Sequence, residues 1–200
     1  MRWNTRAIGE LFTIISRGKQ PVYCEASNIR VINQACVYWD KFNLNNVKYH
    51  DPTSKKKTLP VRSGCILINS TGTGTLGRCN VFPEMNDDYT YVIDSHVTML
   101  DGCELINPFF MKCLFQREDV QEKIYAEYVN GSTNQVELSK EKFSEMRIIL
   151  PPIELQEQFA AFVRQTDKSK FAVHLTGSNL NLSIASVYPE RILSAGDLLL

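Results

Sequence analysis

The adjacent prolines at 151 and 152 fix a boundary that the rest of the chain must respect. Neither can donate a backbone hydrogen bond, and Pro152 disfavours helical geometry in the residue before it, so a strand ends there and a helix begins only afterwards. Just before the pair, Met146-Arg147-Ile148-Ile149-Leu150 reads as a short buried strand. Just after it, Leu155, Phe159, Phe162, Val163 and Thr166 recur at helical steps, with Glu154 and Glu157 in the first turn, where carboxylates complement the helix dipole. Upstream, Gly131-Ser132-Thr133-Asn134-Gln135 forms a polar loop. Loop, strand, proline pair and helix follow in order, so a side chain on the loop is held rigidly relative to the helix.

The remaining elements are mixed. Ile8, Leu11, Phe12 and Ile15 recur at helical spacing before Gly18, which predicts a short amphipathic helix. Strands are expected at 29–38, 64–69, 78–82 and 89–100, followed by a turn at Asp101-Gly102. Asn107-Pro108 starts a helix running to about Val129, because Asn accepts from the freed amides and proline at the first position loses nothing. Arg117 alone interrupts its apolar face, and Ser139 starts another short helix. The fold class is α+β: a mixed α/β domain with a twisted sheet over 1–150, the beginning of a helical spacer over 151–175, and an atypical segment over 176–200 in which Thr176-Gly177-Ser178-Asn179 breaks the helical period.

With 44% hydrophobic and 22% charged residues, the chain of 200 residues is globular in composition and can bury a substantial core. No apolar run is long enough to span a bilayer and the first residues lack the apolar core of a secretory signal, so the expected location is cytoplasmic. Six cysteines at 24, 36, 65, 79, 103 and 113 form no Cys-x-x-Cys pair, and several sit in apolar segments; they are expected to be reduced core residues, with no metal.

Enzyme motifs are missing. There is no Gly-x-Gly-x-x-Gly after a strand, no Gly-Lys-Ser/Thr phosphate loop and no His-Glu-x-x-His. Thr71-Gly72-Thr73-Gly74-Thr75-Leu76-Gly77 looks like a phosphate cradle but has no closing lysine. A thiol hydrolase using one cysteine with His50, His96 or His174 would need a Cys-His pairing that nothing in the sequence specifies.

DNA reading requires hydrogen-bonding side chains at base edges and cations or backbone donors at phosphates. Three loops carry that mixture: one with Arg17, Lys19 and Gln20, one from Asn69 through Thr71 and Thr73 to Arg78, and one with Ser132, Thr133 and Asn134; His96 is a further candidate. Gly, Ser, Thr and Asn are also ordinary turn residues, whereas turn geometry does not demand the long cations Arg17, Lys19 and Arg78. The zero formal net charge implies weak DNA binding by the chain alone, and the run Lys55-Lys56-Lys57 suits phosphate contact rather than base readout.

Residues 131–162, together with Trp3, Ile8-Gly9-Glu10-Leu11, Gly18, Gly64 to Gly72, Ser95-His96-Val97 and Asn107-Pro108-Phe109-Phe110, resemble in order a target-recognition domain of the DNA-specificity (S) subunits of type I restriction-modification enzymes. The resemblance covers about residues 3 to 172. It implies a non-catalytic half subunit with one recognition domain that binds double-stranded DNA and directs methylation, and restriction where restriction subunits exist. The chain itself would hold no cofactor, S-adenosylmethionine, ATP and Mg2+ belonging to the partners. The helix bearing Leu155, Phe159, Phe162 and Val163 would bury them in a bundle that docks methyltransferase subunits or joins two copies as a homodimer, or would pack them back against its own domain. A non-catalytic nucleic-acid or protein-binding adaptor is the alternative.

Overall fold

A computed structural model describes residues 3–131 and 136–175, the side chains of 167–175 excepted. In chain order the elements are β1 (Thr5–Ala7), α1 (Ile8–Leu11), β2 (Phe12–Arg17), β3 (Tyr23–Cys24), β4 (Ile29–Ile32), β5 (Lys48–His50), β6 (Leu59–Pro60), β7 (Ile66–Asn69), β8 (Cys79–Val81), β9 (Thr90–Ile93) and β10 (Val97–Gly102). There follow α2 (Pro108–Phe115), α3 (Glu118–Glu127), β11 (Val129–Asn130), β12 (Glu137–Leu138), α4 (Lys140–Glu145), β13 (Arg147–Ile149) and α5 (Ile153–Leu175). The class is α+β, as the sequence implies.

Two larger sheets organise the molecule. One is antiparallel, ordered β2-β10-β7-β8; the other is ordered β3-β5-β4-β9-β6, with β4 and β9 parallel. Successive strand residues face opposite sides, so β7 serves two cores. Ile66 and Ile68 join a cluster with Phe110, Phe115, Phe143 and Phe159 from the helices, while Leu67 and the preceding Cys65 join Ile32, Phe82, Tyr91 and Ile93 toward the second sheet. Every residue of β7 is buried.

Several sequence expectations are corrected. The first helix is a single turn, because the β-branched run Thr13-Ile14-Ile15 pairs with β10, Ile15 opposite Leu100 and Arg17 opposite Thr98. The strand expected over 89–100 is two strands in different sheets, parted where the Asp94 carboxylate accepts the backbone N–H of His96 at 2.8 Å and turns the chain. Asp101-Gly102, read as the turn, remain in β10 as an irregular step in its pairing with β2. The strand expected over 29–38 closes at Ile32, where Asn33 Oδ1 accepts from Ala35 N at 2.8 Å.

The helix boundaries follow their caps. Asn107 Oδ1 accepts from Phe109 N and Phe110 N at 3.0 and 3.1 Å and starts α2, and Ser139 Oγ accepts from Lys142 N and starts α4. The helix expected to run on to Val129 is two helices, with Arg117, the residue that interrupts the apolar face, at the join in extended geometry. After the prolines, α5 runs from Ile153. Residues 176–200, expected to be atypical, lie outside the described residues.

Candidate nucleic-acid interface

Antiparallel order brings distant loops to one end of the four-stranded sheet. β2 and β7 finish there at Arg17 and Asn69, while β8 and β10 begin there at Cys79 and Val97. Backbone bonds tie the connections together: Gly18 N to Val97 O at 3.0 Å, Ser70 N to His96 O at 2.8 Å and Leu138 N to Ser70 O at 2.8 Å. The last of these, with the bridge between Thr71 and Glu137, draws in the β11–β12 hairpin. The loops at 16–20 and 69–78 and the arms of the 130–135 loop therefore meet. Ser132, Thr133 and Asn134 themselves lie outside the described residues.

Side chains fix this end further. The Arg17 guanidinium donates to Ser95 O and pairs with Glu137 Oε2 at 2.7 Å, so one residue spans β2, the β9–β10 corner and β12. Thr71 Oγ1 lies 2.7 Å from His96 Nδ1, and Nε2 has no hydrogen bond to other described residues. Ser95 Oγ donates to Gln20 Oε1 at 3.1 Å. Lys19 and Thr73 are exposed, with no hydrogen bond or ion pair to other described residues. Arg78 is half-buried, its guanidinium 5.7 Å from the centre of the Tyr38 ring.

Asn69 requires a correction. It has no exposed area, and its Nδ2 donates to Gln34 O at 3.1 Å, so it holds the loop from inside rather than presenting an edge to DNA. Glu137 and Asp94 were not foreseen from sequence. Burial raises the Asp94 carboxyl above the usual carboxylate range, opposed by the His96 amide and the charges of His96, Lys48 and Arg17. An Asp two residues before a His is the turn signal that could have revealed this corner.

The helix residues divide. Phe159 is 4% exposed and meets Phe110 edge-on at 5.5 Å, so its ring belongs to the domain core and is not a surface for a partner. Val163 packs against the same core and Leu155 is half-buried, whereas Phe162 is 42% exposed. Among the described residues no group of three or more His, Cys, Asp or Glu could hold a metal ion, and no helix is long and apolar enough to cross a membrane.

The family model for the type I restriction modification DNA specificity domain matches residues 1–179. The chain belongs to that family. Solved structures share the fold of this specificity domain. A chain from a study of complex assembly and conformational transition of the type I R-M system aligns at TM-score 0.63 and 18% identity, over 86% of this chain and 40% of that one. The HsdS subunit of Thermoanaerobacter tengcongensis aligns at 0.59 and 18% over 88% and 40%, and the type I S subunit of M. genitalium at 0.54 and 16% over 84% and 40%. The specificity domain thus spans about 40% of the length of these chains. Among curated proteins, none matches it in sequence.

Proposed function

We propose that this specificity domain reads a short half-site in double-stranded DNA with the loop end of its four-stranded sheet and directs methylation by partner methyltransferase subunits. The observation that carries the reading is the convergence of two polar loops and the arms of a third, remote in sequence, tied by Arg17–Glu137 and Thr71–His96. Such ties hold the bonded side chains of the loops at 16–20 and 69–78 before binding, so less ordering entropy is lost on contact. In this reading Lys19, Gln20, Thr73, His96 and Arg78 are the described groups that would touch DNA, with Ser132, Thr133 and Asn134 as candidates on the third loop. Each good bidentate base contact discriminates by about 1–3 kcal/mol.

The domain is read as non-catalytic and free of cofactor, with S-adenosylmethionine, ATP and Mg2+ held by cytoplasmic partners and restriction subunits joining where the system has them. Zero formal charge supports dependence on partners for electrostatic grip. Phe162 and the outer face of α5 would dock the methyltransferase or a second copy, giving a subunit with two recognition domains. At three of the six cysteines the thiol-hydrolase reading is disfavoured: burial pushes the Cys36 and Cys65 thiols up to about 11 and Cys79 to about 12, which suppresses the nucleophilic thiolate there.

Methylation mapping of DNA exposed to the methyltransferase subunits with and without this chain tests the proposal. A fixed motif methylated only in its presence is expected; an unchanged pattern, or turnover by the repurified chain alone, would overturn it.

A further inference from the structure

A polar groove opens beside the loop end, on the edge of the five-stranded sheet. Tyr23, Asn46, Lys48 and Asp94 line it together with Gln20 and His96, which it shares with the loop site. Its wall is rigid: Asn33 Nδ2 donates to Asn46 O at 2.8 Å and Asn46 Nδ2 donates to Ala35 O at 2.8 Å.

Lys48 is exposed, and its Nζ stands 4.9 Å from the centre of the Tyr23 ring, with no carboxylate within ion-pair distance among the described residues. The aromatic face steers the ammonium without neutralising it. Asp94 is the acidic residue of the groove lining, and at 3% exposure its carboxyl is withdrawn from the surface. At the loop end itself the Arg17 guanidinium is already occupied by Ser95 and Glu137. Positive charge without an ion pair to other described residues therefore comes from Lys19 and the half-buried Arg78 at the loop end, and from Lys48 in the groove.

We propose that this groove is a track for the phosphodiester backbone flanking the bases read by the loops, with Lys48, held over Tyr23, as a phosphate contact. The inference rests on the loop end facing DNA. An ammonium is a point charge with rotatable donors and suits phosphate rather than a base edge, and backbone contacts set register beside base contacts without carrying sequence information. Amide groups of Gln20 and Asn46 complete a lining that can donate to phosphate and sugar oxygens.

The test measures binding of the full chain, assembled with methyltransferase subunits, to a random-sequence duplex across a salt series, alongside methylation mapping. Lys48→Ala should make the slope of log affinity against log salt shallower by about 0.9, so that a fourfold rise in salt costs the variant about 3.5-fold less affinity than it costs wild type. The methylated motif should stay unchanged, and Lys48→Arg should restore the slope. An unaltered slope in Lys48→Ala, or a changed motif, would overturn the inference while leaving the proposed function intact. Failure of the wild-type assembly to methylate any fixed motif would instead sink the function on which it rests.

Discussion

The backbone N–H of Asn107 donates to Gln156 Oε1 at 2.9 Å, joining the cap of α2 to the first turn of α5 across 49 residues. Gln156 has no exposed area, and its Nε2 donates to Leu105 O at 3.0 Å and Pro151 O at 2.8 Å. One amide thus serves three backbone groups and fixes the start of α5 against the cap of α2. Gln156→Leu fills similar space but orphans all three. It should cost at least about 1–3 kcal/mol, read as a lower urea midpoint, and Gln156→Glu should cost more because it buries a charge.

Gly18 sits where β2 passes the β9–β10 corner. A methyl group there would overlap the carbonyl oxygens of Ile93 and Asp94, which are backbone atoms that cannot swing aside. Gly18→Ala should therefore destabilise by about 1–3 kcal/mol or more and displace His96 along with the corner. Thermal melting checks the first effect. Loss of the methylated motif in variants that remain folded checks the second.

Glu137 places a negative charge at the proposed DNA face. Its pair with Arg17 is partly solvent-accessible, with side chains 35% and 48% exposed, so Glu137→Gln should change stability by less than about 1 kcal/mol. Removing that charge should raise affinity for random-sequence duplex, whereas Arg17→Ala should lower specificity because Ser95 and β12 lose their common tether. Titrations at fixed salt separate the two outcomes.

The buried thiols make stability fall in alkali. Ordinary thiols titrate near 9.0, while burial holds Cys36 and Cys65 at about 11 and Cys79 at about 12. Between pH 9 and those values the unfolded chain gives up protons that the folded chain keeps, so the stabilisation present below pH 9 is progressively lost as pH rises. Urea midpoints should drop across that window, and replacing Cys79 by Ala should flatten the drop. In the native state at pH 8 these three thiols should alkylate slowly.

Caps and breakers were the legible part of the sequence. Asn107-Pro108, Ser139 and Pro151-Pro152 each mark the boundary they predict, because their effect is local to a few backbone groups. Partnering was less legible. The spacing of Ile8, Leu11, Phe12 and Ile15 fits a helix, but β10 offers hydrogen bonds from residues some 85 positions away, and pairing overrides the periodicity. The site shows the same division. The loops at 16–20 and 69–78, singled out for their polar and cationic residues, do meet at one end of a sheet, yet Asn69 turns inward, and the Glu137 and Asp94 contacts depend on a tertiary proximity that composition does not encode.

The double duty of β7 bears on how such a domain can diversify. Along Cys65 to Ile68 each position answers to a different core from its neighbour, so a change at any of them is felt on one side or the other of the molecule. The loops at the strand ends answer to neither core in full; Lys19 and Thr73 face outward with nothing inside to satisfy. Mutational freedom is therefore concentrated where recognition is proposed to occur. A lineage of such domains could exchange one half-site for another by rewriting a handful of loop positions, leaving the interior that pays for folding unaltered.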